Sequence, residues 1–416
     1  MKKLLFTLLC AALFAGCSDK KLGDEKSDKM KQLFPDPIFR AYVLENFDID
    51  GDGKISEEEA EEVTKIEVGK DSSTPDNEKI ASLEGIQYFT NLTYLDCSYN
   101  KLTELDVTQN TALTELRCYN NQLTELDVTQ NTALTELRCY YNQLTELDVT
   151  QNHALKSLSC YSNQLTKLDV MQNTALTILS CDHNKLTELD VTHNTALETL
   201  YCEGNQLTKL DITQNTALTK LSCWSNQLTE LDVTHNTALT ELYCDQNQLT
   251  ELDVTQNPAL TLLSCVYNQL TELDVRQNPA LWALACHSNQ LTKLVTQNPA
   301  LESLSCDENQ LTELDVTQNT ALMFLSCSSN QLTTLDVTQN TALTDLYCYS
   351  NQLTTLDVSK TNLGNDYYQF ICFICSPMNG SGLETLYLRT GQTIKYIYPE
   401  RNDDYVPATT QILFKD

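Results

Sequence analysis

Leucine recurs at fixed intervals through most of the chain and sets its hydrophobic pattern. Residues 102–122, LTELDVTQNTALTELRCYNNQ, return twelve times in closely similar form, always after a step of 21 residues except for one step of 20 from Leu291 to Leu311. Self-similarity at such a period is typical of a solenoid, in which each turn contacts only its neighbours. The pattern therefore predicts one long stacked unit, whereas 416 residues alone would suggest two or three domains.

Each repeat consists of two halves built on one template. Residues 102–110 read L-x-x-L-x-V-x-x-N and vary little between copies, and we call them the constant half; residues 113–121 read L-x-x-L-x-C-x-x-N, and we call them the Cys half. Residues two apart in an extended segment point to the same side, so these leucines, valines and cysteines predict a shared interior. Because both halves follow one template, the pattern leaves open which of them forms the main sheet.

The template resembles the leucine-rich repeat, specifically the irregular nested class that reads L-x-x-L-x-L-x-x-N-x-L-x-x-L-D-L. The resemblance covers residues 91–363, with cysteine in place of the middle leucine of one half. It implies a leucine-rich-repeat parallel β solenoid with few or no helices in the repeats. The asparagines that close the two halves form two ladders, the first from Asn100 to Asn351 and the second from Asn110 to Asn340. We expect each amide to donate to a main-chain carbonyl and to accept from a main-chain N–H in its bend.

A calcium-binding motif precedes the repeats. Residues 48–59, DIDGDGKISEEE, match the EF-hand loop at every position. Apolar residues before the loop recur with helical spacing, and Ala60, Val63 and Ile66 predict a helix after it. Ser56 and Glu59 also have capping-box spacing, so part of this pattern occurs at any helix start. The predicted Ca²⁺ ligands are Asp48, Asp50, Asp52, Lys54 through its carbonyl, Ser56 and Glu59.

The sequence contains one such loop, although EF-hands normally pair. A lone hand needs another surface to cover its apolar side, and the open end of the solenoid is the nearest. The arrangement resembles the helical N-terminal cap of internalin-like leucine-rich-repeat proteins. We therefore expect residues 33–90 to form an N-terminal cap in which Ca²⁺ stabilises the fold rather than switching it.

The first residues predict export. Two lysines precede an apolar run, and Ala15-Gly16-Cys17 resembles a bacterial lipobox, in which the cysteine is lipidated and becomes the new N-terminus. Residues 1–16 would then be a lipoprotein signal peptide and residues 17–32 a flexible tether. An ordinary signal peptide cut elsewhere is the alternative. Ser18 in place of an inner-membrane retention aspartate favours an outer-membrane lipoprotein, at the cell surface or on the periplasmic face.

The period breaks after residue 363. Leu383, Leu386 and Leu388 predict one more turn, and short alternating strands follow it. Residues 364–416 resemble the C-terminal cap of internalin-like lipoproteins of gut Bacteroidales. A cap is expected here because the last turn of a solenoid would otherwise expose its core.

The net charge of the chain narrows the possible partners. The chain has 57 acidic against 27 basic residues, a field that repels nucleic acid and anionic lipid, although it also serves solubility. Membrane contact is therefore expected through the N-terminal lipid only.

Thirteen of the 17 cysteines recur at one repeat position. In-register side chains fit disulfide torsion poorly, so small buried hydrophobes are favoured, and Cys372 and Cys375 are interpreted as parts of a buried strand.

The copies differ mainly in the Cys half. Residues flanking each inward cysteine point outward by alternation and form a surface row that we call the ribbon. Tyrosine, tryptophan and arginine suit recognition of proteins, and aromatic rings suit sugars. Aromatic residues also simply favour strands. The predicted partner-binding residues are Arg117, Tyr119, Arg138, Tyr140, Tyr161, Tyr201, Trp224 and Tyr243.

These features together predict a non-catalytic binding protein. We expect a monomeric cell-envelope lipoprotein that binds a protein or glycan through the ribbon. The alternative is a structural spacer without a specific ligand. The sequence contains no recognisable nucleophile–base pair, catalytic carboxylate pair or phosphate loop, which argues against an enzyme.

Overall fold

The computed structural model describes residues 30–363, 383–392 and 410–416. The predicted signal peptide, Cys17, most of the tether, Cys372 and Cys375 lie outside the described residues, so the expectations for them stay predictions. Among the helices of the described part, none is both long and apolar enough to span a bilayer.

The main sheet is built from the Cys halves. Each contributes a three-residue strand just before its cysteine, and neighbouring strands pair in parallel at the repeat step, as Leu116 does with Leu137. The Cys half therefore forms the main sheet, the point that the template left open. Its fourteen strands are β1 Lys65–Glu67, β2 Tyr94–Asp96, β3 Glu115–Arg117, β4 Glu136–Arg138, β5 Ser157–Ser159, β6 Ile178–Ser180, β7 Thr199–Tyr201, β8 Lys220–Ser222, β9 Glu241–Tyr243, β10 Leu262–Ser264, β12 Ala283–Ala285, β14 Ser303–Ser305, β15 Phe324–Ser326 and β16 Asp345–Tyr347.

The constant half is mostly irregular, and its aspartates bond to the residue two positions later. Asp106 Oδ1 accepts from the main-chain nitrogen of Thr108 at 3.0 Å and from its hydroxyl at 2.6 Å, and the same bonds recur along the chain. Such local bonds compete with strand pairing. Next to the 20-residue step, where Val295 stands in place of the usual aspartate, β11 (Glu272–Asp274) pairs with β13 (Lys293–Val295).

The interior is a continuous column of apolar side chains. Leu113, Leu116, Cys118 and Leu102 are fully buried, and so are their equivalents in the other turns. All thirteen ladder cysteines are buried and free, as predicted for small hydrophobes. Burial raises the pKa of their thiols well above the usual value, which keeps them protonated.

The first asparagine ladder has the predicted bonding. Asn121 Nδ2 donates to the carbonyls of Cys97 at 3.0 Å and Cys118 at 3.1 Å, and its Oδ1 accepts from the main-chain nitrogen of Leu102 at 3.0 Å. The first member, Asn100, accepts in the same way from Ile80 in the cap. Each turn is therefore tied to the one before it, back into the cap.

The asparagines of the second ladder donate hydrogen bonds as predicted, but the prediction that their side-chain oxygens accept was wrong. Asn131 Nδ2 donates to the carbonyls of Val107 and Asn110, but its Oδ1 has no partner among the described residues. The cause is local, because the N–H groups of this bend bond to carbonyls within the bend, as Leu134 does to Asn131. Eleven of the twelve side-chain oxygens in this ladder share this state.

The N-terminal segment contributes its own strand to the sheet. Helix α1 (Pro37–Phe47) begins after Asp36, whose Oδ1 accepts from the main-chain nitrogens of Ile38 and Phe39. Helix α2 (Glu57–Glu61) is only five residues long, and short 3₁₀ turns follow at Asp76–Glu78 and Ile86–Tyr88. Ile66, which we placed on the exiting helix, lies instead in β1. β1 pairs with β2 and is the first strand of the main sheet. The sheet therefore begins inside residues 33–90, the predicted N-terminal cap.

A small parallel sheet follows the last repeat. Its strands are β17 Thr355–Asp357, β18 Thr385–Arg389 and β19 Gln411–Lys415. Leu386 lies opposite Leu356, which confirms the predicted further turn at residues 383–388. The other residues of the predicted C-terminal cap lie outside the described ranges.

Candidate functional sites

The predicted calcium loop lies between α1 and α2. Asp48, Asp50 and Asp52 each offer a carboxylate oxygen, and these three atoms lie within 4.8 Å of one another. The two oxygens of Asp48 accept from the main-chain nitrogens of Asp52 at 3.0 Å and Gly53 at 2.9 Å, which curls the loop around the carboxylates. Gly53 has a φ of +79°, which glycine adopts without strain. The structure thus brings together three of the six predicted ligands.

Glu59 closes the loop through hydrogen bonds. Its Oε1 accepts from the main-chain nitrogen of Ile49 at 2.7 Å, and its Oε2 accepts from the main-chain nitrogen and hydroxyl of Ser56 at 2.8 and 2.9 Å. Burial opposes ionisation, but these bonds together hold the pKa of Glu59 below its usual value. The ammonium of Lys54 lies 3.3 Å from Asp52 Oδ2, which leaves the Lys54 carbonyl as its predicted contribution to the site.

This donor set fits Ca²⁺, because every predicted ligand is a hard oxygen. The loop is also coupled to the solenoid. Ile55, at the loop centre, is buried, and the rings of Phe47 and Phe89 lie 5.6 Å apart. The Tyr42 hydroxyl accepts from the main-chain nitrogen of Glu67 in β1 at 3.2 Å. An ion that orders the loop would therefore also order the covered end of the sheet.

Three predicted binding residues form a stack along the ribbon. The ring centroids of Tyr119 and Tyr140 lie 4.4 Å apart at an angle of 13°, and those of Tyr140 and Tyr161 lie 4.3 Å apart at 8°. We call these three residues the tyrosine stack. Tyr99 meets one end of it edge-on, and Tyr141, which is half exposed, packs edge-on against the other end. The rings cover one another's faces and leave their edges toward solvent.

Arg117 and Arg138 lie beside this stack in a row of ion pairs. Arg117 pairs with Glu115 and lies 3.9 Å from Glu136, and Arg138 Nε lies 2.5 Å from Glu136. The Arg117 guanidinium also lies 5.4 Å from the centre of the Tyr94 ring. The two arginines are therefore neutralised and held in place before any partner arrives.

The remaining predicted residues form a separate group. Tyr201 and Tyr243 end strands β7 and β9, and the ring of Trp224 meets His183 edge-on at 5.8 Å. Among the described rings, no contact links this group to the tyrosine stack. The eight predicted residues thus divide into Arg117, Tyr119, Arg138, Tyr140 and Tyr161 on one side and Tyr201, Trp224 and Tyr243 on the other.

Sequence reasoning missed Tyr99 and Tyr141, which extend the exposed aromatic surface. Both have positive φ values, 54° and 51°, at the position just before the first-ladder asparagine. This position has the left-handed conformation in every turn where it is described, so its side chain leaves the sheet at a different angle from the strand residues. Their fixed position just before that asparagine could have identified them as exposed. The two-residue alternation of a strand, on which the prediction relied, does not apply at this bend.

An acidic groove of about 1300 Å³ separates the cap from the constant half. Its lining includes Glu84, Glu104, Asp106, Glu125 and Asp127 and has no basic residue, histidine or cysteine. The aspartates are already bonded to threonine hydroxyls, as in the Asp106–Thr108 turn. The groove therefore offers carboxylates, hydroxyls and amides as its polar groups.

The parallel sheet, the asparagine ladders and the exposed ribbon define a leucine-rich-repeat solenoid. A model of the family described as leucine-rich repeats, with two copies, matches residues 90–130. The structure of the functional domain of InlJ from Listeria monocytogenes, whose description includes a cysteine ladder, superposes with a TM-score of 0.67 at 37% identity. The match covers 86% of this chain and 82% of that one. The chain belongs to the internalin-like family of leucine-rich-repeat proteins.

Other relatives are consistent with this assignment. A leucine-rich-repeat protein of Leptospira interrogans has a TM-score of 0.59 at 30% identity, covering 66% of this chain and 76% of that chain. Internalin J of Listeria monocytogenes is 44% identical over 86 residues, which are 21% of this chain and only 9% of that protein. Leucine-rich-repeat folds generally bind protein ligands.

Proposed function

We propose that this chain is a non-catalytic cell-envelope lipoprotein that binds a protein partner through the ribbon. The tyrosine stack carries the proposal. Tyr119, Tyr140 and Tyr161 form a preordered, amphipathic edge, flanked by arginines whose side chains are already fixed by ion pairs. Rigid aromatic anchors lose little conformational entropy on binding, and they dominate the energetics of protein interfaces.

The ring geometry favours a protein over a glycan at the stack itself. Sugar rings bind to the open faces of aromatic rings, and in the stack these faces are covered by neighbouring tyrosines. A glycan is the second candidate because Tyr141 and Tyr267 are 52% and 55% exposed. Each could act as a separate platform for a sugar.

The calcium loop supports this function indirectly. In this proposal Ca²⁺ is held by Asp48, Asp50, Asp52, the Lys54 carbonyl, Ser56 and Glu59 and keeps the cap closed over the first strand. Lipidation at Cys17 would anchor the solenoid in the outer membrane, with the ribbon facing outward from the cell surface. Mass spectrometry of the protein from the envelope tests the anchor, since a Cys17→Ala variant should lose the lipid mass.

Capture on arrays of extracellular proteins and glycans tests the ribbon. The mature protein is compared with a variant in which Tyr119, Tyr140, Tyr161 and Trp224 are changed to serine, after circular dichroism has shown that both are folded. The matched control changes four exposed glutamines of the constant half, Gln109, Gln130, Gln151 and Gln214, to serine.

We expect the wild type and the glutamine variant to capture the same protein, and the ribbon variant to lose at least tenfold in affinity. Capture of a glycan that depends on Tyr141 or Tyr267 would support the second candidate. Equal capture by all three proteins would exclude the ribbon. Absence of capture by any of them would favour the structural spacer.

A further inference from the structure

Two carboxylates interrupt the aromatic row of the ribbon. The residues that follow successive cysteines are Tyr119, Tyr140, Tyr161, Asp182, Glu203 and Trp224. Tyr161 contacts Tyr140 and Tyr141, and Trp224 contacts His183. Asp182 and Glu203 thus follow neighbouring strands, β6 and β7, in a gap that has an aromatic residue on each side.

The same row contains two other aspartates whose bonding is complete. Asp245 accepts from the Ser264 hydroxyl at 2.5 Å and from the main-chain nitrogen of Val266 at 2.6 Å. Asp307 makes the equivalent bonds to Ser326 and Ser328 on its next strand. In both turns, a serine just before the next cysteine satisfies the carboxylate.

Asp182 lacks this serine, because Tyr201 occupies the position on its next strand. Its side chain is only 9% exposed, and no other described residue donates a hydrogen bond to it. Beside it, Glu203 Oε2 is buried and also has no hydrogen-bond partner among the described residues. Carboxylate oxygens with little exposure and no donor are costly, so a positive charge or a proton beside them is favoured.

In the absence of a ligand, a proton can meet this need. Burial and the neighbouring Glu203 raise the pKa of Asp182 to about 7. The Asp182 carboxyl is therefore available to exchange its proton for another positive charge near neutral pH.

We infer that Asp182 and Glu203 form the recognition site for an arginine side chain of the protein partner, in the gap between Tyr161 and Trp224. The inference rests on the proposed function of the ribbon and specifies the chemistry of its partner. A guanidinium is planar, donates two hydrogen bonds to carboxylates and stacks on aromatic rings. It therefore matches both the carboxylates of this gap and the aromatic residues beside it.

The donor set suits a metal ion less well. Among the described residues, the only three acidic, histidine or cysteine side chains whose ligand atoms converge within 4.8 Å are Asp48, Asp50 and Asp52. Ca²⁺ binds six to eight oxygens, and this gap offers two carboxylates with aromatic neighbours. A site that binds a metal ion would therefore contradict the inference.

Arginine binding should displace the proton of Asp182, so affinity should rise with pH through about 7. Asp182 lies two residues after the end of β6, and Gly204 on the next turn leaves room for the His183 ring beside it. The titratable groups around the carboxylate are Glu203, Tyr161, His183, Cys160, Cys181 and Cys202.

Fluorescence of Trp224 provides a local test. The chain has two tryptophans, so a Trp282→Phe background leaves Trp224 as the single reporter. The mature protein is titrated at constant ionic strength with Nα-acetylarginine amide, and separately with MgCl₂, at pH 8 and at pH 5.5. The test variant is Asp182→Asn with Glu203→Gln, and the matched control is Asp245→Asn.

We expect arginine amide to change the Trp224 signal, with affinity at least tenfold lower in the double variant and also lower at pH 5.5. Asp245→Asn should bind like the parent, because that carboxylate already has its donors. Equal affinity in the double variant would overturn the inference. So would a response to MgCl₂ alone, or no response to either cation.

This outcome is separate from the test of the ribbon. Loss of capture in the tyrosine–tryptophan variant with no arginine response would retain the proposed function and exclude this site. An arginine response that disappears in the double variant, together with unchanged capture in the ribbon variant, would retain the cation site and exclude the proposed function.

Discussion

The side-chain oxygen of Asn226 accepts a hydrogen bond from the main-chain nitrogen of Leu207, one turn earlier, at 2.9 Å. The Nδ2 of the same residue donates to the carbonyls of Cys202 and Cys223. Asn236, in the second ladder, also donates to two carbonyls, but its oxygen has no partner among the described residues. Two buried asparagines, each in the bend that closes its own half of the repeat, therefore hold the solenoid together to different degrees.

This difference predicts unequal costs of substitution. Asn226→Ala leaves the buried N–H of Leu207 without a partner and removes two further bonds, although the Cys202 and Cys223 carbonyls keep bonds from Asn205 and Asn247. The substitution should reduce the free energy of unfolding by about 3–5 kcal/mol. Asn236→Ala removes two bonds but leaves no group unpaired, because the Ile212 and Asn215 carbonyls also accept from main-chain nitrogens of their bend, and it should cost about 1–3 kcal/mol. Urea titration followed by circular dichroism measures both. Equal costs would mean that the acceptor bond to Leu207 contributes nothing.

Calcium removal should destabilise the cap. At a dissociation constant of about 0.1–1 mM, 10 mM Ca²⁺ stabilises the folded state by roughly 1.4–2.7 kcal/mol. EDTA should therefore lower the melting temperature of the wild type, and Asp48→Ala should abolish this difference. Asp76→Asn, at an exposed acidic residue of the cap outside the loop, is the control and should respond like the wild type. A wild type that is insensitive to EDTA would contradict a stabilising ion.

Much of the fold could be predicted because the same pattern of apolar residues recurs in every repeat. Leu113, Leu116 and Cys118 recur with strand spacing, so the period fixes the interior and the parallel stacking. The identical templates of the two halves could not reveal which one forms the sheet. That choice became visible only in the pairing of the strands, such as β3 with β4.

The sites were less predictable, because they depend on neighbours one turn away. The aspartates of the calcium loop lie close in sequence, and their convergence could be read from their spacing. The difference between Asp182 and Asp245 depends instead on whether tyrosine or serine occupies the next strand, 19 residues later. Tyr201 was predicted as a binding residue, but its effect on Asp182 becomes visible only in the register of β6 and β7.

The cysteine ladder should be inert in the folded protein. A soluble form that begins at Ser18 retains fifteen of the 17 cysteines, of which thirteen belong to the ladder. Burial raises the pKa of the ladder thiols and excludes reagents, so native protein should react with a thiol reagent at no more than two cysteines, Cys372 and Cys375. All fifteen should react in denaturant. Fewer than fifteen after denaturation without reductant would indicate disulfides.

The buried carboxylate of Asp182 should make stability depend on pH with a sign opposite to that of an ordinary aspartate. Its pKa is about 7 in the folded protein against a usual value of 3.8, so between these values the folded state binds the proton more tightly. Stability contributed by this group is therefore lost as pH rises through that window. Asp182→Asn should leave stability unchanged near pH 4, and should raise the free energy of unfolding at pH 8.5 by roughly 2–4 kcal/mol.

Asp190 provides the matched control, since hydrogen bonds from the Thr192 hydroxyl and main-chain nitrogen lower its pKa. Its contribution is present above the usual pKa and is lost as pH falls through the lowered one, so Asp190→Asn should reduce stability at pH 8.5. Urea titrations of the three proteins at pH 4 and pH 8.5 measure these differences. If Asp182→Asn also destabilises the protein at pH 8.5, the carboxylate is ionised and already paired in the folded chain, and the gap between Tyr161 and Trp224 needs no outside cation.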